Sequence, residues 1–454
     1  MKRLLVILAL AVLIAPLAAQ GSPGVSPGFS AALLLGSDLL PSASDPAKLE
    51  SWSKLGFQPD LSLGKLGIGL DLTFRFQIYP DANTPFLIYE PDWIPQAGTG
   101  QTIFDVYLPK IMYVRYGLKG IDPFYIKLGS IDDFSLGNGL IVSDYANTRF
   151  LPDLRIFGLQ FGVDGSIFKF PYLGIEALTG NLARMDVIGG RIFTRPLAFL
   201  GESLPAKLQF GVTGVLDRDP LAYTDAADLA LYPAADLVYV IGADLTLPVL
   251  SSEVVSLNAF VEGASQPSGA LGLITGVGGK LIGFINYGAQ IRALQGGFIP
   301  SYFDSNYDFY RDQRADYVLS LASPGAFKLG WLASLGFQLF DEALELSILV
   351  DGPFAPKPGT ATDDSGAYPH LKGGVTLAEG LLPGIFLSAG YEKYFIGRKA
   401  AFFKDLFDPE DAVIGMSINY KTGATVLTLS YTYSWDPTAG DFDVSSSLSA
   451  SVRF

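Results

Sequence analysis

From Leu66 to Tyr79 the chain alternates without interruption. Leu66, Ile68, Leu70, Leu72, Phe74, Phe76 and Ile78 share one face, and Gly67, Gly69, Asp71, Thr73, Arg75, Gln77 and Tyr79 the other. A period of two is the signature of a β-strand with unlike surroundings on its two sides. Strands of water-soluble domains usually run to about 5–6 residues, whereas a tilted strand needs about 9–11 to cross a hydrocarbon layer. The length of the run, more than its pattern, limits what the chain can fold into.

The same alternation recurs. Phe157, Leu159, Phe161 and Val163 oppose Gly158, Gln160, Gly162 and Asp164; Leu237, Tyr239, Ile241, Ala243, Leu245 and Leu247 oppose Asp244 and Thr246. Leu329, Trp331, Ala333, Leu335, Phe337 and Leu339 oppose Gly330, Ser334, Gly336 and Gln338; Leu427, Leu429, Tyr431, Tyr433 and Trp435 oppose Thr428, Ser430, Thr432 and Ser434. Small hydrophilic residues suit a wet lumen better than a packed sandwich core. Short connections near 64–65, 165–166, 341–342, 382–384 and 421–423 alternate with long ones near 80–101, 132–153, 217–236, 295–314, 353–369 and 395–411. The spacing predicts an all-β, single antiparallel up-and-down β-barrel of about 18 strands, with 16–20 the allowed range and an even number expected. Residues 184–205 give the weakest strand signal, and 317–322 reads as a possible loop strand. Gly276-Val277-Gly278-Gly279-Lys280 is not a phosphate loop, because Leu281 follows the lysine and Ile274 stands where the first glycine belongs; it reads as a hairpin turn. Tyr79, Tyr391, Tyr394, Phe395, Tyr420, Tyr431, Tyr433 and Trp435 fall near strand ends, where interfacial girdles are expected.

The last strand carries Phe442, Val444, Leu448, Ala450, Val452 and Phe454 on one face and Asp443, Ser445, Ser447, Ser449, Ser451 and Arg453 on the other. This ending resembles the C-terminal signal strand of bacterial outer-membrane β-barrels, and the chain as a whole resembles porin-like members of that class. The resemblance implies an assembly signal at Phe454, Val452, Ala450 and Leu448, read by the barrel-assembly machinery, with outer-membrane lipid as surroundings. At the other end, Lys2 and Arg3 precede the apolar run Leu4–Leu17 and the small residues Ala18-Ala19-Gln20-Gly21, the order of a cleaved secretory signal. The expected division is a signal peptide over 1–20 and the barrel over 21–454, placed in the cell outer membrane. No composition shift marks a second domain, and no fixed-period repeat marks a propeller.

Composition narrows the chemistry. Aromatic residues make up 13% of the chain and charged residues 17%, yet after the leader no apolar stretch is long enough for a membrane helix. With 31 basic and 45 acidic residues the net charge is −14; without Lys2 and Arg3 it becomes 29 against 45, or −16. That balance disfavours nucleic acid as a partner. There is no cysteine and one histidine, so thiolate and multi-histidine metal sites are excluded. His370 follows a turn-rich loop and reads as a solvated side chain, and no enzymatic role is expected. Asp132, Asp133 and Asp144, and Asp217, Asp219, Asp225 and Asp228, offer carboxylates to a hard cation. The second group, however, has Ala222 where an EF-hand needs glycine and Asp228 where it needs glutamate. These read as solvated loop acids, and no cofactor is implied.

The expected function is a porin-like channel for passive passage of small solutes. The alternative is a non-conducting barrel that presents its loops for adhesion or a structural role. Candidate pore-lining residues are Asp71, Arg75, Arg115, Lys127, Asp164, Asp244, Glu262 and Arg292, with Glu176, Glu345, Glu392, Lys372 and Arg453 also on inward faces. Opposed charges across a lumen set a field over the solute; alternatively they are internal salt bridges holding the wall. Between Phe298 and Tyr317, rings and charges interleave. Tyr302, Phe303, Tyr307 and Tyr310 are its candidate solute contacts, for a solute such as a sugar; a self-packed plug is the alternative.

Overall fold

The computed structural model describes residues 28–41, 49–81, 84–96, 101–151, 154–226, 228–252, 254–340, 343–355, 365–399, 401–436 and 440–453. Twenty-two strands form one sheet, antiparallel throughout, and it closes on itself where the first strand, Gly28–Pro41, pairs with the last, Asp441–Arg453. The closing register runs from Ala32 opposite Arg453 to Asp38 opposite Ser447. Closure leaves no unpaired edge.

Two staves are each built from two strands. Leu66–Leu70 and Leu72–Asp81 are consecutive parts of one, interrupted at Asp71. Thr84–Ile88 and Ile111–Tyr116 are parts of the next, pairing with those two segments in turn. Merging each pair reduces 22 strands to a barrel of 20 staves. The count is even and lies at the top of the expected range. The excess of two over 18 has local causes: residues 89–110 interrupt one stave, and the weak segment 184–205 contains a strand, Val187–Thr194.

Side chains alternate across the wall as the sequence pattern requires. Leu35, Ile78, Ile192, Tyr239, Ile241, Leu329 and Leu448 are exposed on the outside, whereas Arg75, Gln160, Asp244, Leu332 and Ser449 are buried inside. An apolar exterior spread over so many strands is far larger than the patches soluble monomers tolerate, and it suits hydrocarbon. The turns at Gly64-Lys65 and Gly423 lie at the same end as the start of the first strand and the end of the last, since Gly28 faces Ser62 and Thr425 faces Val452. Most long connections gather at the opposite end, with 195–208 the exception.

Those long connections do not all project outward. Residues 130–151 and 296–326 fold into the lumen and bind each other: the N–H groups of Ser301 and Phe303 donate to Leu140 and Ile141, and that of Ser143 donates to Phe303. Together they bury Phe134, Leu136, Ile141, Tyr302, Phe303 and Tyr307 against inward wall residues Leu178, Val187, Val215, Val240, Ile274 and Leu294. The Phe303 and Tyr307 rings meet at 4.7 Å and Tyr302 and Phe303 at 5.0 Å. Each fully buried large apolar side chain contributes about 1.5–3 kcal/mol. The contacted wall strands all lie between Phe124–Gly129 and Ile285–Gln295, so the apolar core of the plug is attached to one side of the barrel.

The centre of the plug is a helix, Tyr307–Ser320. It buries Tyr307, Arg311, Ala315 and Val318, the i, i+4, i+8, i+11 spacing of a single helical face. Residues 317–322, read as a loop strand, belong instead to its end and exit, because the face that must be buried recurs with helical and not strand spacing. The glycines at 276–279 are also corrected: they lie inside the strand Leu271–Leu281, not at a turn. A Cβ on Gly279 would sit 2.0 Å from the Ser256 carbonyl oxygen, so glycine there permits a close approach between neighbouring strands.

Candidate functional site

Because the apolar core of the plug packs against one side, a cavity of about 650 Å³ remains between its helix and the opposite wall. The helix contributes Tyr310, Gln313, Arg314 and Tyr317; the wall contributes Gln290, Arg292, Ser334, Asp351, His370, Lys372 and Glu392. Strand register explains the assembly. Asp351 faces His370 and Lys372 faces Glu392 on neighbouring strands, so inward alternation delivers unlike charges side by side.

Glu392 is the meeting point of wall and plug. One carboxylate oxygen lies 3.0 Å from His370 Nε2 and accepts from Tyr394 Oη at 2.9 Å; the other accepts from Asn306 Nδ2 at 2.6 Å. The His370 ring stacks on Tyr394 with centroids 4.8 Å apart, and its Nδ1 lies 3.7 Å from Asp351. Lys372 Nζ donates to Ser305 Oγ at 3.0 Å, and Arg314 pairs with Asp304 at 2.7 Å and donates to the Tyr302 carbonyl at 2.6 Å. Hydrogen bonds to charged groups are the stronger kind, and here they fasten residues 304–306 to the strands His370–Leu382 and Ile385–Lys393.

The helix is held on its far side by a second network. Arg311 pairs with Asp217 at 2.8 Å and Asp186 at 3.0 Å, and Tyr307 Oη donates to Asp217 at 2.6 Å. Arg311, Asp186 and Asp217 are essentially sealed from solvent. Burial pushes the Asp308 carboxyl, on this in-folded loop, up to about 7; nearby Asp186 and Asp217 push the same way, and Arg311 opposes.

Of the eight residues expected to line a pore, Arg292 is on this cavity, paired with Asp351 at 2.6 Å. Most of the others are engaged elsewhere. Asp71 accepts from Arg155 at 2.6 Å, and Arg75 bridges Asp38 at 2.8 Å and Asp92 at 2.7 Å. Lys127 pairs with Asp132 at 3.0 Å and Asp164 with Arg195 at 2.6 Å. Asp244 is gripped by two nitrogens of Arg191, at 2.7 and 2.9 Å. Glu262 is buried and accepts from the backbone N–H of Asn138 at 2.7 Å. Arg115 lies beside the Tyr113 ring, 6.0 Å from its centroid.

Of the four loop aromatics, Tyr310 lines the cavity, but Tyr302, Phe303 and Tyr307 are fully buried inside the plug, where a solute does not reach them. Leu448 and Val452 sit in the closing strand opposite Ser37 and Leu33. Phe454 and the leader over 1–20 lie outside the described residues.

His370 requires correction: its ring is about four-fifths shielded and faces two carboxylates, not bulk solvent. Tyr394 and Phe395, expected in an aromatic girdle, face the cavity. One sequence signal did point here: Asp351 and His370 flank the same long connection, so any hairpin register that pairs those strands brings them close.

No family model and no curated protein matches the chain. Among solved structures it is similar to OccK8 (OprE) of Pseudomonas aeruginosa, with 10% identity and a TM-score of 0.36 over 94% of this chain and 98% of that one. A BenF-like porin from Pseudomonas fluorescens gives 10% identity and a TM-score of 0.36 over 95% and 100%. OccK2 (OpdF) of Pseudomonas aeruginosa gives 10% and 0.33 over 94% and 96%. The likeness is broad in coverage and shallow in fit.

Proposed function

We propose that this chain is an outer-membrane channel that passes small solutes through a constriction between its plug helix and the wall strands around His370. The observation that carries this reading is the one-sided plug: its apolar core is attached to the strands between 124 and 295, while the facing wall bounds a polar cavity. A plug built only to fill the barrel gains nothing from leaving its charged side facing a void of about 650 Å³. The apolar exterior supports placement in a bilayer, and the grouping of short turns with the start of the first strand and the end of the last supports the orientation usual for outer-membrane barrels. Both ring nitrogens of His370 face carboxylates, which leaves neither available to activate a nucleophile and supports transport over catalysis.

The alternative, a barrel that presents loops without conducting, draws support from the size of the plug core. Planar-bilayer recording of the refolded chain separates the two: discrete, reproducible conductance steps support the channel, and a silent bilayer with correctly folded protein supports the closed barrel.

A further inference from the structure

We infer that the cavity between the plug helix and the His370 strands is a binding subsite for an uncharged, polyhydroxylated solute of mono- to disaccharide size. This rests on the reading of the barrel as a solute channel and gives that channel a substrate class.

The first argument is charge. The cavity contains ionised groups of both signs, but they are engaged with each other or with the plug: Arg292 with Asp351 at 2.6 Å, Arg314 with Asp304 at 2.7 Å, His370 with Glu392 at 3.0 Å, and Arg398 with Asp411. Lys372 donates to Ser305 and lies 3.5 Å from Asp144, and Asp316 accepts from the backbone N–H of Ala234 at 2.8 Å. At Arg292–Asp351, Arg314–Asp304, His370–Glu392 or Arg398–Asp411, a solute carrying one net charge would have to break the pair and leave its partner uncompensated, which is the costly way to disturb a buried ion pair. A neutral solute leaves the pairs intact.

The second argument is the remaining lining. Gln290, Gln313 and Asn138 place amides on the cavity, and Ser143, Ser301 and Ser334 place hydroxyls. Amides and hydroxyls can both donate and accept, the complement of a solute whose groups do the same. Tyr310, Tyr232 and Trp435 add flat surfaces whose electron-rich faces suit the C–H faces of a saturated ring. A volume of about 650 Å³ lies within the range of about 300–1,000 Å³ typical of small-molecule sites.

The test is equilibrium binding by titration calorimetry on the full refolded chain in detergent. The probes are glucose, glucuronate and glucosamine, which share a pyranose ring but differ in charge, and maltose for size. The expected result is saturable binding of maltose and glucose, with glucuronate and glucosamine each at least about fivefold weaker. Gln313→Ala, on the half-buried cavity side of the helix, should weaken maltose binding about fivefold, the effect of one lost hydrogen bond. Ile241→Val, on the outer face of the wall away from the cavity, should bind as the parent does. Charged probes that bind as well as or better than glucose, absence of saturation, or indifference to Gln313→Ala would each overturn the inference. A chain that binds maltose but does not conduct would refute the channel and leave the subsite standing; one that conducts without binding maltose would do the reverse.

Discussion

Asn306 and Glu392 are 86 positions apart in the chain, yet the Asn306 amide nitrogen donates to the Glu392 carboxylate at 2.6 Å, and this bond joins the plug to the wall beside the cavity. Loss of a hydrogen bond to a buried charged group costs about 1.5–3 kcal/mol. Asn306→Ala should therefore loosen residues 304–306 without unfolding the barrel. The expected outcome is faster amide exchange across Tyr307–Ser320 and noisier single-channel currents, with unchanged heat-modifiable mobility on gels. Exchange identical to the parent would show that this bond does not hold the plug.

Asp308 gives the plug a pH dependence whose sign can be worked out. Its carboxyl is raised from 3.8 to about 7 by burial, so the folded plug favours the protonated form. Such a group contributes stability that is fully present below its unfolded pKa and is lost as pH rises through the folded value. Protection of the helix against exchange should fall between pH 4 and about 7, after correction for intrinsic rates, and Asp308→Asn should flatten the profile. Protection that rises with pH would contradict the assignment.

Phe74 and Thr73 are neighbours on opposite faces of the wall. Phe74 packs outside near Phe86, with centroids 6.5 Å apart, whereas Thr73 donates inward to Asp71 at 2.5 Å. Phe74→Arg should destabilise the barrel by about 2–4 kcal/mol in a lipid folding titration if it lies at mid-depth, and Thr73→Arg by less. Equal losses would mean that the outer face does not meet hydrocarbon.

Charge at the mouth should bias ion flow. A smaller cavity of about 170 Å³ beside the helix is lined by Asp225, Asp228, Asp312, Asp436 and Asp443, with Arg311 as its cation. A mild cation preference is expected from reversal potentials across a salt gradient. It should fade as salt rises, because exposed charge is screened over about 8 Å at physiological ionic strength and over less above it. Anion selectivity would contradict this reading.

The wall was legible in the sequence because a closed membrane sheet requires the same alternation in every stave, and Leu66–Tyr79, Phe157–Asp164 and Leu329–Leu339 each display it. The plug was less legible. Tyr302, Phe303 and Tyr307 carry no sign that distinguishes a ring facing a solute from one buried against a neighbouring loop; the partners that bury them, Ile141 and Val240, are far away in the chain. Inward charges were readable from alternation, as with Arg292, Lys372 and Glu392, but their pairing depends on register, which no local pattern specifies. His370 was misplaced for the same reason: next to a turn-rich loop it resembles a surface residue, and only the register with Asp351 brings it inside.

The central claim is that solutes pass between the helix and the wall strands around His370. Ser334 points into that cavity from the strand Phe327–Leu339, and Ala333, one residue away, is exposed on the outer face. The most direct measurement is single-channel conductance of Ser334→Trp beside Ala333→Trp in planar bilayers. The account predicts that Ser334→Trp lowers conductance by about half or more while Ala333→Trp conducts as the parent does, because only the inward indole obstructs the passage. Equal conductance in all three proteins would contradict it.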